Sequence, residues 1–430
     1  MPDLSVNFAG IESPNPFWLA SAPPANSGEQ VMRAFDAGWG GAVWKTLGQP
    51  ITNVSSRFGA LDYGDTPMVG FNNIELITDR PLEDNFREIE EVKRHYPDHA
   101  VVVSLMVESR EEWKDIIERS VEAGADGLEL NFGCPHGMCE RGMGSAVGQE
   151  PKVCEEITSW AVEFSEVPVI VKLTPNVGDI VPPGLAAARG GADAVSLINT
   201  VKSIIGVDLE RGVIEPPVDD KSSNGGYCGQ AVRPIALHMV NQLAQDRQFD
   251  LPISGIGGVE TWRDALEFVY LGASTVQVCT AVMHHGYRIV RDMIDGTERF
   301  MRDKGFETID EMVGEALPSY ADWGDLDLNY ERVAKIDDDL CIGCQKCVVA
   351  CHDGAHQCIH VGEESRVPYV DESECIGCNL CNYVCPVPDC ITMERVDNGK
   401  PSMSWNQYVE NKEKGEDVEH PGKSTHHTHF

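Results

Sequence analysis

The chain has 430 residues, 42% of them apolar, with 69 acidic against 34 basic side chains and a formal net charge of −35. That much acid argues against nucleic acid as a partner, because phosphates need Lys and Arg, and against anionic membrane surfaces. No run of about 18 apolar residues is present to span a bilayer, and Met1 to Gly10 lacks the basic-then-apolar order of a secretory signal, so the protein is expected to be cytoplasmic.

From about residue 17 to 296, short apolar runs alternate with amphipathic stretches. The runs at 17–20, 41–45, 101–106, 127–131, 169–173, 194–198, 252–255 and 275–279 read as strands. The stretches 28–37, 82–95, 110–123, 151–165, 179–189, 231–245, 261–271 and 281–294 read as helices. Eight strands alternating with eight helices fit an α/β fold of the (β/α)8 barrel type, assigned to residues 1–309. An open doubly wound sheet gives the same alternation, and the count of eight favours the barrel. Residues 310–332, rich in Asp, Gly and Trp, read as a connector. Residues 397–430 are charged and poor in apolar side chains, which predicts a disordered tail. In that tail His426, His427 and His429 read as solvated rather than metal-binding.

Between connector and tail, residues 333–396 carry two matched cysteine runs: Cys341, Cys344, Cys347, Cys351 and Cys375, Cys378, Cys381, Cys385, the second followed by Pro386. Each reads C-x2-C-x2-C-x3-C, the spacing of a ferredoxin-like domain with two [4Fe–4S] clusters, in which the fourth Cys of each run ligates the other cluster. One cluster then takes Cys341, Cys344, Cys347 and Cys385, and the other Cys375, Cys378, Cys381 and Cys351. The alternative, zinc knuckles, needs only four ligands per site. The runs are offset by 34 residues (375 − 341), so the domain is an internal duplication. Cys358 and Cys390 follow the two runs and could compete as ligands, but eight thiols already complete two clusters. Such thiolates need a reducing compartment, where disulfides are rare.

In a barrel, catalytic groups gather at the C-terminal ends of strands. Here those ends are Ala20-Ser21-Ala22, Lys45-Thr46, Asn131-Phe132-Gly133-Cys134, Lys172, Asn199-Thr200, Gly257-Gly258 and Cys279-Thr280. Gly257 and Gly258 let backbone N–H groups approach an anion, and Thr280 opens the next helix, which makes a phosphate site at a place where barrels commonly hold one. Single-electron clusters need a flavin to convert their electrons into a hydride, so the phosphate site suits flavin mononucleotide (FMN). Cys134, between Gly133 and Pro135 on a loop at the mouth, is the candidate acid–base group. The thiols of Cys139, Cys154, Cys228 and Cys279 read as packing. No G-x-G-x-x-G occurs; Gly255-Ile256-Gly257-Gly258-Val259-Glu260 ends in Glu. The chain is therefore expected to lack its own NAD(P) or FAD site and to exchange electrons with a partner.

Taken together, these loops resemble the flavin barrel of the dihydropyrimidine dehydrogenase family. The carrying stretches are Trp44-Lys45-Thr46, Phe71-Asn72-Asn73-Ile74-Glu75-Leu76, Glu129-Leu130-Asn131-Phe132-Gly133-Cys134-Pro135-His136-Gly137-Met138, Lys172-Leu173-Thr174-Pro175-Asn176 and Asn199-Thr200-Val201. Arg233-Pro234-Ile235-Ala236 and Val276-Gln277-Val278-Cys279 add to it, and the likeness runs from about residue 4 to 396. The chain looks like the pyrimidine-reducing subunit of the bacterial two-subunit form, whose FAD and NAD(P) domains belong to a separate flavoprotein. The resemblance implies reduction of uracil or thymine to the 5,6-dihydro base in pyrimidine catabolism, with a hydride from FMN to C6 and a proton from Cys134 to C5. It implies that Asn73, Asn131, Asn199 and Thr200 hold the ring and that Lys45 and Lys172 contact the flavin. Uracil presents alternating donors and acceptors, which amides match in both senses. Two positions depart from the family pattern: Cys139 stands where a small residue is expected, and Gly133 where Ser is frequent. Two rival readings remain. A dihydroorotate dehydrogenase-like enzyme would commonly have Asn where His136 follows Cys-Pro, and would want an extra cation for the orotate carboxylate. A pure electron carrier would have no use for Cys134 and the Asn set.

Overall fold

The computed structural model describes residues 2–135, 142–354, 356–363 and 365–422. It forms two compact units, Met1–Pro318 and Ser319–Phe430.

In the first unit eight parallel strands close on themselves in sequence order: β1 (Phe17–Leu19), β2 (Gly41–Leu47), β3 (Ala100–Leu105), β4 (Gly127–Asn131), β5 (Val169–Lys172), β6 (Ala194–Leu197), β7 (Ile253–Ile256) and β8 (Ala273–Val278). Closure is made where Val276 of β8 pairs with Phe17 of β1. Because side chains alternate along a strand, one set of positions packs outward on the helices: Val101, Val103, Leu128, Leu130, Val169 and Val171 join the main core. The other set fills the barrel. At its base Trp18, Val43, Val102, Ile170 and Ala194 pack on Phe8 and Ile11, which belong to the hairpin Val6–Phe8/Ile11–Ser13. One step further along the strands the interior turns polar: Lys45, Ser104, Glu129, Lys172, Ser196 and Gln277 are all buried. The sequence thus builds a dry floor and a polar ceiling within the same strands.

The helices begin at residues suited to that task. Ser109 and Glu112 form a capping box at the start of Arg110–Glu122, and Thr261 and Asp264 form another before Trp262–Tyr270. One helix differs from expectation. The stretch 281–294 is not continuous: helix Thr280–His285 stops at Gly286, whose φ of 83° is left-handed, and a new helix runs Ile289–Lys304.

Two loops leave the barrel and meet. Strands Phe58–Tyr63 and Thr66–Asn73 lie between β2 and β3, and Val201–Ser203 and Gly225–Cys228 between β6 and β7. They form one four-stranded antiparallel sheet in which Asn73 pairs with Gly226.

In the second unit, strands Glu331–Ile336 and Ile391–Val396 pair, as do Ile359–Val361 and Pro368–Val370, around helices Lys346–Gly354 and Leu380–Val384. The core here is largely cysteine: Cys347, Cys351, Cys358, Cys375, Cys381 and Cys390 are buried with Val333, Ala334, Ile359 and Ile391.

The stretch from 397, expected to be disordered, is ordered through residue 422. It holds helix Trp405–Glu413, started by a Ser404–Gln407 capping box, and Met403 accepts a backbone hydrogen bond from Leu328 at 3.0 Å. Local capping chemistry outweighs the low apolar content there. His426, His427 and His429 lie outside the described residues. No described helix is long and apolar enough to cross a membrane.

Candidate functional site

All the residues expected at the flavin and substrate site line one cavity at the C-terminal mouth of the barrel. Ala20, Ser21, Lys45 and Thr46 come from the ends of β1 and β2, Asn131 and Cys134 from β4, Lys172 from β5, and Asn199 and Thr200 from β6. Gly257, Gly258, Cys279 and Thr280 follow β7 and β8, and Asn73 arrives on the four-stranded sheet. The cavity opens to solvent at the barrel mouth, as a site that admits a small ligand must.

At one end, Gly257 (φ 135°) and Gly258 (φ 71°) adopt a conformation open chiefly to glycine. A Cβ on Gly258 would lie 2.8 Å from the Gly229 carbonyl oxygen, and one on Gly257 2.8 Å from Ala236 Cβ. That bare backbone, beside the first turn of helix Thr280–His285, fits a phosphate approached by N–H groups.

Towards the barrel axis sit the lysines, each with a carboxylate that sequence reasoning left without a role. Lys45 Nζ is 2.8 Å from Glu75 Oε1, and Arg57 approaches the same oxygen at 3.5 Å. Lys172 Nζ is 3.4 Å from Glu129 Oε1. Glu129 is wholly buried and accepts hydrogen bonds on Oε2 from Ser196 Oγ at 2.8 Å and Gln277 Nε2 at 3.1 Å. Glu129 was legible in principle: it is the charged residue inside Gly127–Asn131, in phase with Asn131, so both point inward. Gln277 Oε1 has no hydrogen-bond partner though buried, an unused acceptor on the cavity wall.

An amide and hydroxyl chain crosses the mouth. Asn199 Nδ2 donates to Asn131 Oδ1 at 3.0 Å, and Asn131 Nδ2 donates to Thr46 Oγ1 at 3.0 Å. Thr46 Oγ1 lies 3.2 Å from Ser21 Oγ and 3.0 Å from Ser104 Oγ. Asn131 Oδ1 also accepts from Gly133 N, and Asn199 Oδ1 from Thr200 N at 2.7 Å. The oxygens are engaged, while the second hydrogen on each Nδ2 is left for a ligand carbonyl. Asn73 Nδ2 donates to Gly226 O at 3.2 Å. Gly133 fits here because a Cβ would stand 2.3 Å from Asn199 Cβ.

Cys134 is 8% exposed and packs with Ile77, Met106 and Met143. Its carbonyl accepts from Ser145 N at 2.9 Å, which ties the loop to the helical turn Ser145–Gly148. Cys139 and His136 lie outside the described residues. Burial pushes the thiol of Cys279 up to about 12 and that of Cys228 up to about 11. Both are neutral wall groups, Cys228 accepting from Thr280 Oγ1 at 3.2 Å.

In the second unit the cysteines ring two separate pockets. One is lined by Cys375, Cys378, Cys381 and Cys351, the other by Cys341, Cys344, Cys347 and Cys385. The crossed pairing expected from the spacing is the one the fold brings about. Among the described residues no three potential ligands converge on a single ion; the thiols surround volumes, as a cubane requires and a zinc ion does not.

A family model for dihydroorotate dehydrogenase matches residues 3–301, and one for a 4Fe-4S dicluster domain matches 334–393. The chain is 46% identical to the NAD-dependent dihydropyrimidine dehydrogenase subunit PreA of Escherichia coli K12, over 92% of this chain and 96% of that one. The chain belongs to the dihydropyrimidine dehydrogenase family. It is also 42% identical to the chloroplastic dihydropyrimidine dehydrogenase (NADP(+)) of Arabidopsis thaliana, over 76% of this chain and 79% of that one. The catalytic subunit of dihydroorotate dehydrogenase B from Thermococcus kodakarensis is 38% identical over 73% of this chain and 98% of its own length. As a dihydropyrimidine dehydrogenase-family oxidoreductase, the chain carries FMN in its barrel and two [4Fe–4S] clusters in its second unit, and the glycine cradle and thiol rings fit them.

Proposed function

We propose that this chain reduces a neutral pyrimidine base, uracil or thymine, to its 5,6-dihydro form with electrons that arrive from a partner. The observation that carries this is the convergence of Asn73, Asn131, Asn199, Thr200 and Cys134 on the cavity that also holds the phosphate cradle. Bound FMN supplies the hydride for C6. The residual N–H donors of Asn131 and Asn199 take the ring carbonyls, Asn73 Oδ1 takes a ring N–H, and Cys134 Sγ gives the proton to C5. Buried among Ile77, Met106 and Met143, Cys134 has little water to compete for that proton.

The orotate reading is weaker. Among the described residues lining the cavity, the cations are Lys45 and Lys172, and each is already paired with a carboxylate, Glu75 and the buried Glu129. A substrate carboxylate would add a third negative charge there. The dihydroorotate dehydrogenase relative also covers only 73% of this chain, whereas the bacterial dihydropyrimidine dehydrogenase subunit covers 92%.

We divide the chain into the barrel, residues 1–309, as the reducing part and residues 333–396 as the electron relay, joined through 310–332. The partner is an NAD(P)H-oxidising, FAD-binding flavoprotein in a hetero-oligomer, and both work in the cytoplasm. Turnover of the holoprotein with reduced methyl viologen, comparing uracil with orotate, tests the reading. Rapid consumption of uracil and none of orotate is expected; the reverse preference overturns it.

A further inference from the structure

A carboxylate lies behind the cavity wall, out of a ligand's reach. Lys172, Asn131 and Gln277 face the cavity, while Glu129 stands behind them and is 0% exposed. It joins three strands across the barrel interior. Its Oε2 accepts from Ser196 Oγ on β6 at 2.8 Å and from Gln277 Nε2 on β8 at 3.1 Å. Its Oε1 makes no hydrogen bond and meets the ammonium of Lys172, on β5, at 3.4 Å. The other lysine of the cavity is held differently: Glu75, its partner at 2.8 Å, lines the cavity beside it. Burying a carboxylate is costly unless it is paired and hydrogen-bonded. The buried polar side chains packed around Glu129, namely Ser196, Ser254, Thr275 and Gln277, are all neutral. A Gln at 129 could tie the same strands at lower cost. What Gln could not do is set a negative charge against Lys172.

We propose that Glu129 is a positioning residue that sets the reduction potential of the bound flavin through Lys172, its charge offsetting part of the lysine's and holding that potential down. This rests on the reading that Lys172 contacts FMN. Charge beside a flavin ring tunes its electronics. Reduction makes the ring richer in electrons, so a cation at the cavity wall favours the reduced form, and a carboxylate behind that cation takes part of the effect back. Both charges are buried, where water screens them little. The 3.4 Å separation leaves the ammonium hydrogens of Lys172 free to donate into the cavity. Glu129 therefore acts on the ligand's electrostatics without competing for the lysine's hydrogen bonds. A flavin held at lower potential is the stronger hydride donor, which favours delivery to an uncharged pyrimidine ring.

The test is a spectroelectrochemical titration of the holoprotein, with the flavin wave told from the one-electron cluster waves by its two-electron slope. Glu129→Gln keeps the size and an acceptor oxygen but not the charge. It should raise the flavin potential by about tenfold in the reduced-to-oxidised ratio, about 30 mV for a two-electron couple. Lys172→Met should lower it. The double variant Glu129→Gln/Lys172→Met should lie above Lys172→Met alone, which reads the same charge in a second background should Glu129→Gln not fold. Glu129→Asp, which keeps the charge, should stay near the parent. A role confined to tying strands would weaken FMN binding in the Gln and Asp variants alike, without a fixed sign in the potential. The proposal is overturned if neither Glu129→Gln comparison shows a rise, or if Glu129→Asp rises as far. Should Lys172→Met leave both the flavin potential and the FMN dissociation constant where they were, the placement of Lys172 at the flavin fails, and the proposal with it.

Discussion

Cys134 is the residue on which the proposed chemistry turns. Cys134→Ala should lower kcat by about 10²–10⁴, the usual worth of a positioned general acid, with uracil affinity, flavin and iron content held. A thiol acting on a proton in transit contributes to the transition state rather than to ground-state binding. Cys134→Ser should be slow rather than inactive, and Cys139→Ala within a few-fold of the parent. If Cys139→Ala is the crippling change, the acid has been placed on the wrong thiol. Gly258 carries a second prediction. At φ 71°, with a Cβ meeting the Gly229 carbonyl oxygen at 2.8 Å, Gly258→Ala should leave the protein folded yet raise the FMN dissociation constant by tenfold or more, measured by fluorescence titration of the deflavinated protein. Glycines and thiols of this kind are readable from sequence because their roles follow from local position at a strand end. Glu75 was not, since it meets its lysine only across the fold; Glu129 could be placed inside the barrel from its phase with Asn131, but its pairing with Lys172 on another strand could not be read.

At the scale of elements, the barrel was legible because its strands and helices, the broken stretch 281–294 apart, obey their own periods. The apolar runs predicted at 127–131 and 169–173 coincide within a residue with β4 and β5. The four-stranded sheet was not legible. Its two halves are joined by one pairing across more than a hundred residues, Asn73 with Gly226, and no local signal records that contact. The only hint was length: the connection from Leu47 to Leu82 is far beyond the 2–6 residues usual for such a loop. The second unit carries an element-scale prediction. Its core is assembled from cysteines with few apolar partners, so its stability depends on what those thiols bind. Removing iron with a chelator under reducing conditions should abolish the melting transition of residues 333–396. The barrel transition, which rests on its own core, should shift little. Calorimetry of the holo and stripped forms reads both; a second unit that still melts cooperatively without iron contradicts this.

For the whole molecule, acid dominates the surface but buried thiols set the alkaline limit. Cys154, Cys228 and Cys279 have an ordinary value of 9.0 that burial raises to about 12, 11 and 12. Above pH 9 the unfolded chain releases these protons while the folded barrel retains them. Folding therefore holds more protons, and stability falls as pH rises from about 9 towards 12. The barrel melting temperature should decline over that window, and Cys154→Ala, which removes one such group, should flatten the decline. A melting temperature level to pH 11 in the parent would show that these thiols ionise without cost.

On the proposed function, the same molecule would be half of a redox circuit. It holds a site for converting single electrons to a hydride and two stores for single electrons, yet its glycine-rich strand end reads Gly255-Ile256-Gly257-Gly258-Val259-Glu260, without the third glycine that brings a helix N-terminus onto a pyrophosphate. Those glycines instead lie on the wall of the barrel cavity. The purified chain, with flavin and clusters in place, should therefore oxidise NADH and NADPH no faster than free FMN does. It should reduce uracil readily once a low-potential viologen donor is supplied. Adding an FAD-containing NAD(P)H oxidoreductase of the matching kind should restore nicotinamide-dependent turnover in proportion to the complex formed, with a salt dependence reflecting the −35 charge this chain brings to the encounter. Stopped-flow mixing with NADH and with NADPH, each with and without the partner, separates the cases. Flavin bleaching by nicotinamide alone at catalytic speed would mean that the barrel binds the dinucleotide directly, and that the clusters lead electrons out rather than in.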